Sequence, residues 1–265
     1  MTSNMKRSVT MKKLTLLAFG LFSYLLFLFC TLYTMGFLNN RWVSTGVDQG
    51  ESTTFGVALL INVGLVSLFG FCHSLFARKS IKQRLQWLLP EASIRSLYVF
   101  QSSAILIGVC IAWQAMPTSL WHFDNPMLAG LIYGLQGLGW ALVVWATFAI
   151  NHFELTGLQQ VYHHLMDQDE PEPRFVTPLL YRIVRHPMQS GILLAFWCTP
   201  HMTLGHMVFA LTMTIYILVG IRFEERSLLE SFGDDYRRYQ QQVPMLIPSL
   251  RHLKLVRTGA LSGAK

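Results

Sequence analysis

The stretch Tyr181-Arg182-Ile183-Val184-Arg185-His186-Pro187 decides how this chain is read, because it stands directly before two apolar segments. The first runs from Gly191 to Pro200 and the second from Leu204 to Ile221, after which charge returns at Arg222-Phe223-Glu224-Glu225-Arg226. Gly233-Asp234-Asp235-Tyr236 makes a corner, and Val243-Pro244-Met245-Leu246-Ile247-Pro248 closes the region. A hairpin of two hydrophobic segments around His201–Thr203 puts both charged flanks on one side of a membrane. Charge beside hydrocarbon is costly to desolvate and usually has a partner or a task. The region therefore reads as a binding site at one membrane face.

Composition agrees with a membrane chain. Of 265 residues, 52% are hydrophobic and 13% charged, against about 25% charged in an average soluble domain. Mean hydropathy is +0.38, and several windows exceed the roughly 18 apolar residues that mark a span. The first apolar run, Leu14–Leu38, comes after Lys12-Lys13 but is too long for a signal-peptide core and has no clean cleavage site, so it reads as a retained helix. Further spans are expected at Phe55–Phe76, Ile94–Met116, Met127–Ile150, Met188–Pro200 and Leu204–Ile221. The fold class is all-α: a polytopic integral membrane bundle of about six transmembrane helices with a cytoplasmic C-terminal helical tail. The fifth span is short for a full crossing, since about 13 residues rise only about 20 Å.

Smaller features fill in this outline. Ile81–Leu89 fits a short amphipathic helix at the interface. Gly130-x-x-x-Gly134 permits close helix approach in the fourth span. Trp113, Trp121 and His122, near the Pro117–Pro126 turn, fit an interfacial aromatic belt. Asp167–Pro173 is an acidic, proline-broken loop. After Ile221 an amphipathic helix is expected to Phe232, ended by Gly233.

With six spans and the N-terminus inside, every Lys and Arg except Arg41 falls on the cytoplasmic side. That bias sets orientation and accounts for the +7 formal charge. The partner implied is a lipid bilayer and not nucleic acid, for which no aromatic-basic module is present. Cys30, Cys72, Cys110 and Cys198 all fall inside spans without a Cys-x-x-Cys pair, so neither a disulfide framework nor a metal cluster is indicated. His201 and His206 lack a third ligand close in sequence, and no metal is expected. The cytoplasmic mouth collects His73, Arg78, Arg95, Tyr98, His152, Glu154, Arg182, Arg185, His186, Glu224, Glu225, Tyr236 and Tyr239, and any chemistry is expected there.

Those residues carry a resemblance. Arg185-His186-Pro187, the hydrophobic hairpin, Glu224-Glu225, Phe232-Gly233-x-x-Tyr236-x-x-Tyr239 and Val243-Pro244 closely resemble the membrane methyltransferases typified by isoprenylcysteine carboxyl methyltransferase. His73-Ser74-x-x-Ala77-Arg78, Pro90, Arg95-x-x-Tyr98 and Asn151–Gln160 resemble a narrower NnrU-like group that includes methanethiol S-methyltransferases. Together the two resemblances cover Phe55 to Pro248. One departure is Met188-Gln189, where many relatives carry an aromatic residue after the His-Pro pair. The resemblance implies one methyltransferase domain over 1–265: first helix and loop in 1–54, NnrU-like helices in 55–180, cofactor-binding hairpin and tail in 181–248.

It also implies S-adenosylmethionine as methyl donor and places the protein in a bacterial cytoplasmic membrane, both termini inside. That donor carries an ammonium, a carboxylate and a sulfonium, so its site needs both charge signs. Glu224 or Glu225 suits the ammonium or ribose hydroxyls, and Arg185 or Arg182 the carboxylate. Pro187 opens a helix whose first N–H groups favour an anion. His186 donates a hydrogen bond, Gln189 lies one turn on, and Tyr236 and Tyr239 suit the adenine. A small thiol acceptor reacts as thiolate, for which His73 is the first candidate base and Glu154 and His152 the rivals; His73, Glu154 and Arg182 form the candidate catalytic set. The other readings are plainer: arginines as orientation anchors, Glu224-Glu225 paired with Arg222 or Arg226, tyrosines as belt residues. At the level of function the alternatives are an isoprenylcysteine or lipid acceptor, or a non-catalytic membrane component of nitrogen-oxide respiration.

Overall fold

A computed structural model of the chain describes residues 3–171 and 175–248. The end of the acidic loop and the tail beyond Pro248, with its basic residues, lie outside the described residues. Nine α-helices are described: α1 (Ser3–Asn39), α2 (Phe55–Ala77), α3 (Lys79–Gln86), α4 (Glu91–Ala112), α5 (Pro126–Ile150), α6 (His152–Thr156), α7 (Leu158–Met166), α8 (Pro187–Trp197) and α9 (Leu204–Gln242). A 3₁₀ turn spans Leu179–Arg182, and two short strands, β1 (Ser119–His122) and β2 (His201–Thr203), pair with each other. The fold is all-α but for this pair, which occupies the two links expected as simple turns. Five helices, α1, α2, α4, α5 and α9, are long and apolar enough to cross a membrane. The remaining apolar segment is α8, whose 11 residues rise only about 16 Å.

The chain divides into two compact units. The first runs to Thr118 and adds His152–Glu172 and Thr203–Phe209. Here α1 packs on α4 and α7, and α2 packs on α4. Asn62, fully buried in α2, uses both ends of its amide on the Gln114 backbone, donating to the carbonyl and accepting from the N–H, each at 2.9 Å. Hydrocarbon offers no water for such groups, so internal pairing is required. Trp113 is not a belt residue: it is 1% exposed and packs edge-on against Phe37 and Phe209. The reason is its place just past the end of α4, where the chain turns inward and its ring completes an aromatic cluster. The α6–α7 junction is Gly157, at φ +88. A Cβ there would sit 2.7 Å from the Ser96 backbone nitrogen, so the junction requires glycine twice over, for conformation and for space.

The second unit comprises Ser119–Asn151, Pro173–Met202 and the chain from Ala210 on. Asn125 caps α5, its side-chain oxygen accepting from the N–H groups of Met127 and Leu128, and Pro126 takes the first helical position. The β1–β2 pair joins the start of α5 to the end of α8, so the two helices run antiparallel. Trp121 Nε1 donates to Thr199 O across this link at 3.2 Å. Trp197 Nε1 donates to Thr214 Oγ1 at 2.9 Å and ties α8 to α9. α9 has 39 residues and rises roughly 58 Å, nearly twice a hydrocarbon core of about 30 Å. Its far end must leave the membrane. Gly233, at φ 54 and ψ −124, breaks the helix there.

The close approach in this unit is made by different glycines from those expected. A Cβ on Gly139 would meet Ala195 N at 2.6 Å and Gly191 O at 2.7 Å, whereas one on Gly130, Gly134 or Gly137 would meet nothing within 4 Å. Helical register explains the correction: at about 100° per residue, Gly139 lies half a turn around α5 from Gly130. The spaced glycines thus face away from α8 and the single Gly139 faces it. Gly139→Ala and Gly191→Ala should each lower the melting temperature of the purified protein, overpacking of this kind costing about 1–3 kcal/mol. Gly130→Ala and Gly134→Ala should melt like the parent. Equal melting of all four variants would contradict the assigned contact.

Candidate functional site

Proline at the start of α8 pushes the preceding residue out of helical geometry, and His186 sits at φ −127, ψ 66. That frees the Arg185 and His186 backbone N–H groups, which donate to Pro244 O at 2.8 Å and Met245 O at 3.1 Å. Ser190 Oγ donates to Leu246 O at 2.7 Å. The segment Val243–Leu246 is therefore strapped across the start of α8.

Under the strap lies a shared carboxylate. Glu225 Oε1 accepts from Arg185 Nε at 2.7 Å and lies 3.0 Å from His186 Nε2, while Oε2 accepts from Gln240 Nε2 at 2.9 Å. Arg185 also donates through Nη1 to the carbonyls of Gln240 and Val243. His186 is 3% exposed and Glu225 14%. A buried ion pair survives only when further hydrogen bonds support it, and here the Gln240 amide and the Gln240 and Val243 carbonyls supply them. Among the expected pairings, Glu225 takes Arg185 from across the hairpin instead of Arg222 or Arg226; Arg226 pairs with Glu230 on the outer helix face.

Glu224 is placed differently. Its side chain is 49% exposed, 3.6 Å from His186 Nδ1, and accepts from Gln189 Nε2 at 3.3 Å. Of two adjacent carboxylates, one closes the structure and the other faces an opening. Tyr181 lies beside it: burial, reinforced by the Glu224 carboxylate, pushes its phenol well above the usual range, so it stays protonated. Tyr239 donates to the Tyr181 carbonyl. Tyr236 is 2% exposed, with its ring against Phe175 and Tyr239, so it packs the base of the site. Arg182 is exposed and donates to Thr177 O at 3.1 Å.

The structure thus brings together Arg185, His186, Pro187, Gln189, Glu224 and Glu225, with Tyr236 and Tyr239 below. Gln240 and Ser190 join them without any signal in the sequence. Gln240 stands 15 residues from Glu225, beyond the Gly233 break, where no helical period connects them.

The remaining candidates belong to the first unit. His73 Nε2 lies 2.8 Å from the Tyr98 hydroxyl, and the Phe69 ring is 5.4 Å from its own. The Arg95 guanidinium sits 5.2 Å over the Tyr98 ring, and its Nε donates to Leu155 O at 2.7 Å. Arg95-x-x-Tyr98 and the Asn151–Gln160 segment are therefore one assembly reaching to His73. Glu154 is exposed on α6. His152 is buried, its Nε2 3.1 Å from the Tyr24 hydroxyl and its ring edge-on to Tyr24 and Phe153; burial holds its imidazole below the usual range. Among the described residues no group of three or more His, Cys, Asp or Glu is placed to hold a metal ion.

Known proteins of similar sequence give the family. The NnrU protein family model matches residues 60–258. Methanethiol S-methyltransferase of Pseudomonas deceptionensis is 46% identical, over 90% of this chain and 91% of its own length. Methanethiol S-methyltransferase 1 of Bradyrhizobium diazoefficiens is 44% identical, over 87% and 81%. Nurim of Bos taurus is 30% identical, over 71% and 72%. No solved structure is significantly similar. The matched region takes in both the Arg185–Glu225 network and the His73–Tyr98 assembly, and the chain belongs to the NnrU protein family.

Proposed function

We propose that this integral membrane protein is an S-methyltransferase that converts methanethiol to dimethyl sulfide with S-adenosylmethionine as donor. The observation that carries the reading is identity of 40–46% with methanethiol S-methyltransferases over most of both chains. The donor set of the second unit fits the cofactor. Glu224, half-open and flanked by the Gln189 amide, suits the ammonium or the ribose hydroxyls. Arg185 spends Nε on Glu225 and Nη1 on the Gln240 and Val243 carbonyls, so the cofactor carboxylate is assigned first to exposed Arg182 and to the first N–H groups of α8, which have no carbonyl behind them in the helix, with the Arg185 Nη2 group as a further donor. Protonated Tyr181 adds a donor. Bound there, the cofactor supplies a methyl group on a sulfonium to a sulfur nucleophile.

In the first unit, His73 is the proposed base. Its imidazole, oriented by Tyr98, accepts the proton of the thiol, whose conjugate thiolate is the nucleophile. Glu154 is the competing base. The distribution of Lys and Arg supports insertion in the bacterial cytoplasmic membrane with both termini in the cytoplasm.

Cells expressing the chain and fed methanethiol should release dimethyl sulfide into the headspace, and cells expressing Glu225→Ala or His186→Ala at equal membrane levels should not. No dimethyl sulfide above the vector control would overturn the reading and favour a non-catalytic membrane component.

His73→Ala should lower kcat by about 10² to 10⁴ while cofactor affinity stays within twofold of the parent. Its rate should recover as pH rises toward the pKa of the free thiol, because solution then supplies thiolate. A wild-type rate at neutral pH would remove His73 from this role, and loss in Glu154→Gln instead would transfer it.

A further inference from the structure

Gln101 and Ser102 lie three and four residues past Tyr98 on α4, so the three side chains leave one face of the helix. That is the face whose Tyr98 hydroxyl meets His73 of α2. Both polar atoms of the Gln101 amide and the Ser102 hydroxyl are shielded from solvent, without a hydrogen-bond partner among the described residues. A buried polar group left unsatisfied loses its full solvation and regains nothing, and within hydrocarbon no water stands in. Asn62, on α2 of the same helix pair, shows what a structural amide does here: it is fully buried and both its ends are bonded. Gln101 departs from that pattern one turn from His73's partner. Phe69, 6% exposed with its ring beside His73, supplies an apolar wall one turn along α2.

We propose that Tyr98, Gln101 and Ser102, with His73 and Phe69, form the binding site of the methyl acceptor, and that the acceptor is a thiol of a few heavy atoms. The inference rests on the methyltransferase reading. Sulfur accepts from the Gln101 amide N–H and the Ser102 O–H, the S–H proton faces the His73 imidazole, and the alkyl group lies against Phe69. The donors are neutral, which suits a small polarizable sulfur. None of these five side chains carries a fixed positive charge for an acceptor carboxylate, and the nearby Arg95 has its Nε on the Leu155 carbonyl and its guanidinium over the Tyr98 ring. An amine acceptor lacks a carboxylate among these five side chains. The site thereby selects thiols over the carboxylate of a prenylated cysteine.

Gln101→Leu removes both amide atoms and keeps a branched apolar side chain one carbon shorter than glutamine. In the purified full-length protein it should raise KM for methanethiol about fivefold, the size expected for losing one hydrogen bond to a neutral sulfur. kcat and cofactor affinity should stay within twofold, and the melting temperature should hold or rise because no orphaned amide remains. Ser102→Ala should raise KM by a smaller factor. A merely structural glutamine would move the melting temperature and leave KM alone. Wild-type KM in both variants, or a fall in kcat at constant KM, overturns the proposal; if Gln101→Leu does not fold, Gln101→Met decides by the same readings. Dimethyl sulfide from the parent with unchanged KM in the variants sinks only this assignment. No dimethyl sulfide from the parent sinks the methyltransferase reading with it.

Discussion

The Glu225 carboxylate is the interaction on which the second unit depends. Taking a carboxylate out of water costs several kcal/mol, roughly, and is offset only by full hydrogen bonding in good geometry. Glu225 obtains that from Arg185 before α8, His186 at its start and Gln240 past the break in α9. Three stretches distant in sequence are thereby held at one point. Arg185 carries the same linkage onward to the Gln240 and Val243 carbonyls, and the strap completes it through the backbone of Arg185 and His186. With the charge of Glu225 spent inside the protein, the neighbouring Glu224 is left half-exposed, its carboxyl pushed above its ordinary value chiefly by desolvation. Two identical residues side by side thus stand in different surroundings, one bonded on both oxygens and the other half-exposed.

The first unit solves a related problem without a buried ion pair. Arg95 hooks the last turn of α6, just before the α6–α7 loop, through the Leu155 carbonyl and stacks on Tyr98, and Tyr98 holds His73. The glycine at 157 allows that loop to lie against α4. A histidine at the end of a membrane helix would otherwise be free to rotate; here the Tyr98 hydroxyl lies within hydrogen-bond distance of both ring nitrogens, 2.8 Å from Nε2 and 3.1 Å from Nδ1, and holds the ring in place.

Much of this is legible in the sequence because it depends on composition and on local order. Apolar length marks the spans, the pairing of Arg185-His186-Pro187 with Glu224-Glu225 marks the site, and Gly233 marks the break in the last helix. The rest depends on which face of a helix meets which neighbour, and a linear pattern does not carry that. Gly130-x-x-x-Gly134 has the spacing of a contact but faces away from α8, while Gly139 has no partner in sequence and makes the contact. Trp113 has the composition of a belt residue and the burial of a core one. Arg185 is open to an anion on charge alone, and only the folded chain shows its Nε on Glu225 and its Nη1 on the Gln240 and Val243 carbonyls. Gln101 carries no motif at all; its lack of partners is visible only once the helices are packed.

The measurement that bears hardest on the site is calorimetric titration of the purified protein with S-adenosylmethionine. Saturable binding at one site per chain, weakened more than tenfold by Glu224→Gln, is the result this structure predicts. Absence of binding at millimolar cofactor would contradict it and leave the Glu225 network as architecture alone.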